Sequence, residues 1–275
     1  MDSNSSDIVH EFLPLFRIYK DGRVERLMGT ETIPPSTDPH TGVQSKDIIV
    51  STENNLSARL FLPKLRSPHQ RLPLLIYIHG VSVQYRRAPE HPLPTAYDDT
   101  WEAIKWAASH VKGKGPEPWL NDHADFQRVF LAGDSAGANI AHNSAMKVGV
   151  DGLDAVRILG LVLVHPFFMN NEPDKLIEFI FPSSSGCNDP RMNPVSAGAE
   201  LAQLGCSKVL VFVAGKDWLK DRGYSYYEAL KKSGWSGTTQ VVETEGEDHA
   251  FHLFNPGCEK AKDLMKHVAS FLNQE

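Results

Sequence analysis

From Leu74 onward the chain alternates short, continuous apolar runs with longer stretches in which apolar residues recur at helical spacing. The runs "RVFLAG", "VRILGLVLVHPF" and "SKVLVFVAG" carry Val, Ile, Leu and Phe at neighbouring positions, the pattern of strands buried on both faces. "TTQVVETEG" reads as a further strand. Between these runs, "AYDDTWEAIKWAASHV", "SAGANIAHNSAMKVGV" and "YSYYEALKKSG" read as helices, and "CEKAKDLMKHVASFLNQ" as a closing helix. Gly234 ends the third of them. Upstream, "FRIYKDGRVERL" predicts a hairpin turning at Asp21-Gly22. "IPPSTDPHTG" is a Pro-rich loop, and "QSKDIIVS" and "LSARLFLP" are short strands. Strand–helix alternation over this length predicts an α/β fold, a mainly parallel sheet with helices on both faces. The expected organisation is one domain over residues 1–275, with N-terminal strands and loop in 1–70 and a core in 71–275.

One junction breaks the rhythm. "LLIYI" and "VSV" both look like strands, yet only His79 and Gly80 separate them, and a parallel crossover needs about ten residues or more. Three resolutions are open: one extended strand with a bulge at Gly80, a two-residue hairpin at His79-Gly80, or a chain from which a piece has been removed. Removal is the favoured origin, and the extended strand is what such a chain is expected to attempt.

Composition narrows the function. The net charge is −6, with Lys and Arg scattered, which leaves no nucleic-acid footprint. The pairs Arg86-Arg87 and Lys231-Lys232 are expected on solvated faces or against carboxylates. No run of 18 apolar residues occurs, so no membrane span is expected. Cys187, Cys206 and Cys258 are too few and too dispersed for a disulfide framework or a zinc cluster. With an acidic, polar N-terminus, these features point to the cytosol, with the nucleus open as well.

Ligand chemistry in such sheets collects at the carboxyl ends of strands. After "RVFLA" comes Gly133-Asp134-Ser135-Ala136-Gly137, a G-x-S-x-G placed between a strand and a helix, the context of a nucleophile elbow. There the Ala136 N–H can donate to an oxyanion. Asp217 follows "SKVLVFVAG"; its rival Asp221 reads better as a residue of a helix start. His249 follows the last strand, and His252 reads as a packed or surface residue. Ser135, Asp217 and His249 stand in the order nucleophile, acid, histidine, each after a separate strand. Trp218 and Phe251 flank the acid and the histidine, with packing as the expected role. Tyr224, Tyr226 and Tyr227 read as one helix face with an exposed neighbour.

The segments "FRIYKDGRVERL", "YIHG", "YRRAPEHPLPTAYDD", "GDSAGANIAHN", "GCNDPRMNPV", "VAGKDWLKDRG", "YYEALKKSGW" and "GEDHAFHLFNP" span nearly the whole chain. In them it resembles the plant carboxylesterases of the hormone-sensitive-lipase group of α/β-hydrolases. The resemblance implies Ser135 as nucleophile, His249 as general base, Asp217 as its orienting acid, a small carboxylic ester as substrate, and no metal or cofactor. The group also holds a gibberellin-receptor branch without the catalytic histidine, and dehydratases and cyclases on altered sites. Serine and histidine together favour hydrolysis here.

The chain departs from the group in one place that matters. Members carry a His-Gly-Gly-Gly loop, a helix and a further strand before "YRLAPEH", whereas this chain passes from His79-Gly80 directly to "VSVQYRRAPEH". The resemblance thus implies an α/β-hydrolase fold lacking the helix after the His-Gly strand. It implies an oxyanion site of Ala136, Gly80 and His79, with Val81 and Ser82 in place of glycine donors. A smaller shortening falls near "FFMNNEPDKLIEF". Each lost donor is worth about 2.7–4 kcal/mol of transition-state stabilisation, so an impaired isoform stands beside the active esterase, with a small-molecule receptor and a lyase as further alternatives.

Overall fold

The structure is a computed structural model and describes residues 7–80 and 85–274. In chain order the strands are β1 (Ile8–Phe12), β2 (Phe16–Tyr19), β3 (Val24–Arg26), β4 (Gln44–Ser51), β5 (Leu56–Leu62), β6 (Leu72–Ile78), β7 (Ala124–Asp134), β8 (Ile158–Val164), β9 (Lys208–Ala214) and β10 (Thr238–Thr244). The α-helices are α1 (Thr95–Ala108), α2 (Pro118–His123), α3 (Ala136–Asp151), α4 (Lys175–Ile180), α5 (Lys220–Lys232), α6 (Phe251–Phe254) and α7 (Glu259–Asn273).

Five strands form one parallel sheet in the order β10-β9-β8-β7-β6. The continuous apolar runs are explained by burial on both faces. On β7, Val129 and Leu131 pack to one side and Phe130 and Ala132 to the other; Val209, Val211 and Val213 of β9 oppose Leu210, Phe212 and Ala214 in the same way. The first face is covered by α1, α3 and α5, through residues such as Ile104, Ala141 and Tyr226. The second is covered by α7, through Leu264, Val268 and Phe271. Gly160 of β8 makes room for that helix: a Cβ there would lie 2.8 Å from the Phe271 ring.

The predicted hairpin forms as β2–β3, with Gly22 at φ 84° and the Arg23 N–H donating to Asp21 Oδ1. β1 adds to it as a third antiparallel strand, which the polar reading of the N-terminus had missed. β4 and β5 pair as predicted but form a sheet of their own, with no ladder to β6. Between them lies a groove of about 1290 Å³, lined by Leu60 and Leu62 of β5 and by Leu74, Ile76 and Ile78 of β6. The far ladder edge of β6 is thus unpaired among the described residues, and Leu75 and Tyr77 remain 37% and 46% exposed. An unpaired edge opens more readily than a strand with neighbours on both sides. Amide hydrogen exchange should therefore find the outward-facing N–H groups of β6 less protected than those of β8 by roughly a hundredfold or more; equal protection would contradict this ladder.

The extended-strand expectation is corrected. β6 stops at Ile78, and the Tyr85 ring stacks on His79 with centroids 5.2 Å apart. The Tyr85 hydroxyl faces the His79 and Gly80 carbonyl oxygens, 3.1 Å from each. Residues 81–84 lie outside the described part. The crossover rule is met because β6 connects to its parallel neighbour β7 through α1 and α2. As the resemblance implied, no helix stands between β6 and α1 among the described residues. Arg86 is tied to α1, its backbone N–H and its guanidinium both donating to Asp99, which is fully buried.

Candidate active site

The site lies at the carboxyl end of the sheet, where β7, β8, β9 and β10 each deliver one residue. Ser135 follows β7 at φ 52° and ψ −119°, a strained turn that lifts its side chain above the strand ends. Both elbow glycines are sterically required. A Cβ on Gly133 would lie 2.4 Å from the Gly137 carbonyl, and one on Gly137 would lie 2.0 Å from the Ile78 oxygen. The elbow is also fixed by β8 and its extension: the Ser135 N–H donates to Val164 O at 2.9 Å, and the Phe167 N–H donates to Ser135 O at 3.0 Å.

Asp217 sits three residues past β9, almost fully buried, and His249 sits five past β10. His249 Nδ1 lies 2.7 Å from Asp217 Oδ2, and its Nε2 lies 2.9 Å from Ser135 Oγ. The second Asp217 oxygen accepts the Leu219 N–H at 2.8 Å. Burial alone would raise the carboxyl pKa. The hydrogen bonds from His249 and Leu219 and the nearby imidazoles outweigh it and hold Asp217 below the usual carboxylate value. An ionised carboxylate only accepts, so His249 Nδ1 bears the proton and Nε2 is left to accept from the serine. Three residues far apart in sequence thus form one connected hydrogen-bonded relay.

Of the three expected oxyanion residues, one stands as an open donor. Ala136 opens α3, and a first-turn N–H has no partner inside its own helix. Gly80 does approach the serine, since a Cβ on it would lie 3.1 Å from Ser135 Cβ. Its N–H, however, is directed to Asp134, 3.3 Å from each carboxylate oxygen, and not to an oxyanion. His79 packs on Tyr85, and burial pushes its pKa down to about 4. In this arrangement Asp134 accepts the Gly80 N–H and the Tyr85 ring covers His79. Val81 and Ser82 lie outside the described residues.

The secondary assignments divide similarly. Asp221 is exposed in the first turn of α5. His252 is buried in α6, 5.5 Å from the His165 ring. Trp218 is 59% exposed, beside Phe167 and under the Arg222 guanidinium, whereas Phe251 is core. Tyr226 is fully buried, Tyr224 donates to Glu243, and Tyr227 sits under Lys231.

The end of β8, "VLVHPF", carries His165, a residue that no motif in the sequence marks. Its Nδ1 accepts the Ala250 N–H at 3.0 Å. His165, Asp217 and His249 bring donor atoms within 4.8 Å of one another, an arrangement that could suggest a cation site. The hydrogen bonds decide against it. The Nδ1 lone pair of His165 is already used, so its proton sits on Nε2, and neither nitrogen is free to ligate. The proton of His249 Nδ1 is likewise committed to Asp217. Among the described residues no helix is long and apolar enough to cross a membrane.

A parallel sheet with a strained serine elbow at its carboxyl edge is the architecture of one large class, and comparison with known proteins agrees. The chain belongs to the alpha/beta hydrolase fold family, which matches residues 76–180 and 168–253. It is 47% identical to probable carboxylesterase 5 of Arabidopsis thaliana, over 97% of this chain and 99% of that one. It is 42% identical to 2-hydroxyisoflavanone dehydratase of Glycyrrhiza echinata, over 98% of each. Among solved structures it superposes on the hyperthermophilic esterase of the archaeon Pyrobaculum calidifontis with a TM-score of 0.65 and 26% identity, covering 83% of this chain and 85% of that one. The dehydratase alignment runs over 320 positions against the 275 residues of this chain, so at least 45 of them have no counterpart here.

Proposed function

We propose that the chain is a serine carboxylesterase acting on small carboxylic esters through Ser135, His249 and Asp217. The observation that carries this reading is the unbroken hydrogen-bonded path from Ser135 Oγ through the His249 ring to Asp217. Ser135 Oγ attacks the ester carbonyl carbon while His249 Nε2 takes its proton. The tetrahedral oxyanion rests against the Ala136 N–H. His249 then gives its proton to the departing alkoxide, leaving an acyl group on Ser135, and a water activated by the same nitrogen releases the acid. Asp217 keeps the ring in the required tautomer and offsets the imidazolium charge.

The rate follows from the donors. With Ala136 as the one open donor among the described residues, each further donor absent lowers kcat by about 10²–10³. The reading is tested with a fluorophosphonate probe and p-nitrophenyl acetate. The expected result is a single covalent adduct on Ser135, with saturable but slow turnover of the ester. A folded protein that neither reacts with the probe nor exceeds background hydrolysis would sink it.

The 42% identity to a dehydratase supports a second reading, in which the same pocket eliminates water. Elimination needs a base and an acid but no nucleophile. Under it, Ser135→Ala would retain turnover and product analysis would show an alkene in place of an acid.

A further inference from the structure

The loop carrying His249 is short, and it is pinned from outside. Ala250, the next residue, sits in the left-handed region at φ 55°. Such a conformation is disfavoured for a residue with a Cβ and persists where surrounding contacts impose it. Here the imposing contact is the Ala250 N–H donating to His165 Nδ1. His165 is itself left-handed at φ 47° and 1% exposed. Its own backbone N–H donates to Phe212 O at 2.9 Å, which anchors it to β9. The segment that fixes Ser135 through Val164 and Phe167 is therefore the segment that fixes the residue after His249. The two rings lie 5.8 Å apart, with no direct hydrogen bond between them.

We propose that His165 is a positioning residue: its Nδ1, by holding the Ala250 N–H, sets the distance and angle at which His249 Nε2 meets Ser135 Oγ. It touches no reacting atom and acts through His249. The proposal rests on the hydrolytic reading above.

Two substitutions isolate the nitrogen concerned. Asn places an acceptor where Nδ1 stood and tolerates a left-handed backbone, whereas Gln places its polar group where Nε2 stood. His165→Gln should lower kcat for p-nitrophenyl acetate about 10- to 100-fold, since a displacement of order 1 Å at a reacting pair has that effect. KM should stay within about twofold, because the binding surface is untouched. The rate of fluorophosphonate capture by Ser135 should fall in parallel, and His165→Asn should recover most of both. Equal activity of the two variants, or losses that follow melting temperature alone, would overturn the proposal. A fold failure in either variant leaves a measurement on the unaltered protein: a through-hydrogen-bond ¹⁵N–¹⁵N coupling between the Ala250 amide and His165 Nδ1, whose absence refutes the contact. If the unaltered protein reacts with neither probe nor ester, the hydrolytic reading fails instead, and the coupling still reports on the clamp.

Discussion

Ser135→Ala should reduce p-nitrophenyl acetate hydrolysis to the level of buffer and abolish fluorophosphonate labelling, with no loss of fold. Where a complete set of donors is present, loss of such a serine costs about 10⁶ in kcat; a slower starting enzyme would show a smaller drop. His249→Ala should match it, since the hydroxyl is a poor nucleophile without a base 2.9 Å away. Asp217→Asn is the sharper variant. It preserves shape but donates toward His249 Nδ1, shifting the imidazole to the tautomer in which Nε2 bears the proton, and should cost about 10⁴ in kcat. A steady-state assay with circular dichroism as the folding control decides all three. Independent, additive losses in the double variants would contradict a relay, because groups acting as a unit are not additive.

The second large effect is acid instability. His142 is buried between Tyr226 and Phe168, and burial pushes its pKa down to about 3. Burial and the neighbouring His252 and His249 put His165 at about 3, and burial puts His79 at about 4. Each is neutral in the folded protein but titrates near 6.5 once unfolded. Between these values the unfolded chain holds more protons than the native one, so stability rises with pH across the window and falls on acidification below about 6.5. Three such groups give a slope of up to about 4 kcal/mol per pH unit near pH 5. Asp217 works in the same direction but lower down: its folded pKa is depressed, so its contribution is full above the unfolded carboxylate value of about 3.9 and is lost as pH falls below it. Urea unfolding at pH 7, 6 and 5 measures the slope. His142→Asn should make it shallower by about one proton; an unchanged slope would mean that the buried ring is not titrating on unfolding.

Much of this was legible in the sequence, and the reasons are specific. β7, β8 and β9 were readable because burial on both faces leaves no polar residue to blur the run, and the elbow because only glycine fits beside Ile78 O. The order Ser135, Asp217, His249 anticipated which strand ends meet. β1 was missed because its pattern is mostly exposed and carries no burial signal, and α2 because six residues show too little periodicity. The end of β6 at Ile78 was not legible because β-propensity in "LLIYI" says nothing about a stacking partner for His79 or a carboxylate that captures the Gly80 amide. His165 was passed over although it ends a strand like the others, since its role lies in one backbone hydrogen bond that no motif encodes.

The groove beside β6 has a bearing on what the shortening spares. On the proposed reading, the groups that activate the hydroxyl hang from β7, β8, β9 and β10, whereas the anion's second cradle in this fold is supplied from the loop after the strand on the other flank. One reaction's needs are thus divided between two banks of the scaffold. On the proposed hydrolytic reading, a change confined to the β6 flank would leave a serine able to be phosphonylated once while altering the speed of repeated acyl transfer, so covalent reactivity and catalytic throughput can part company in the same molecule.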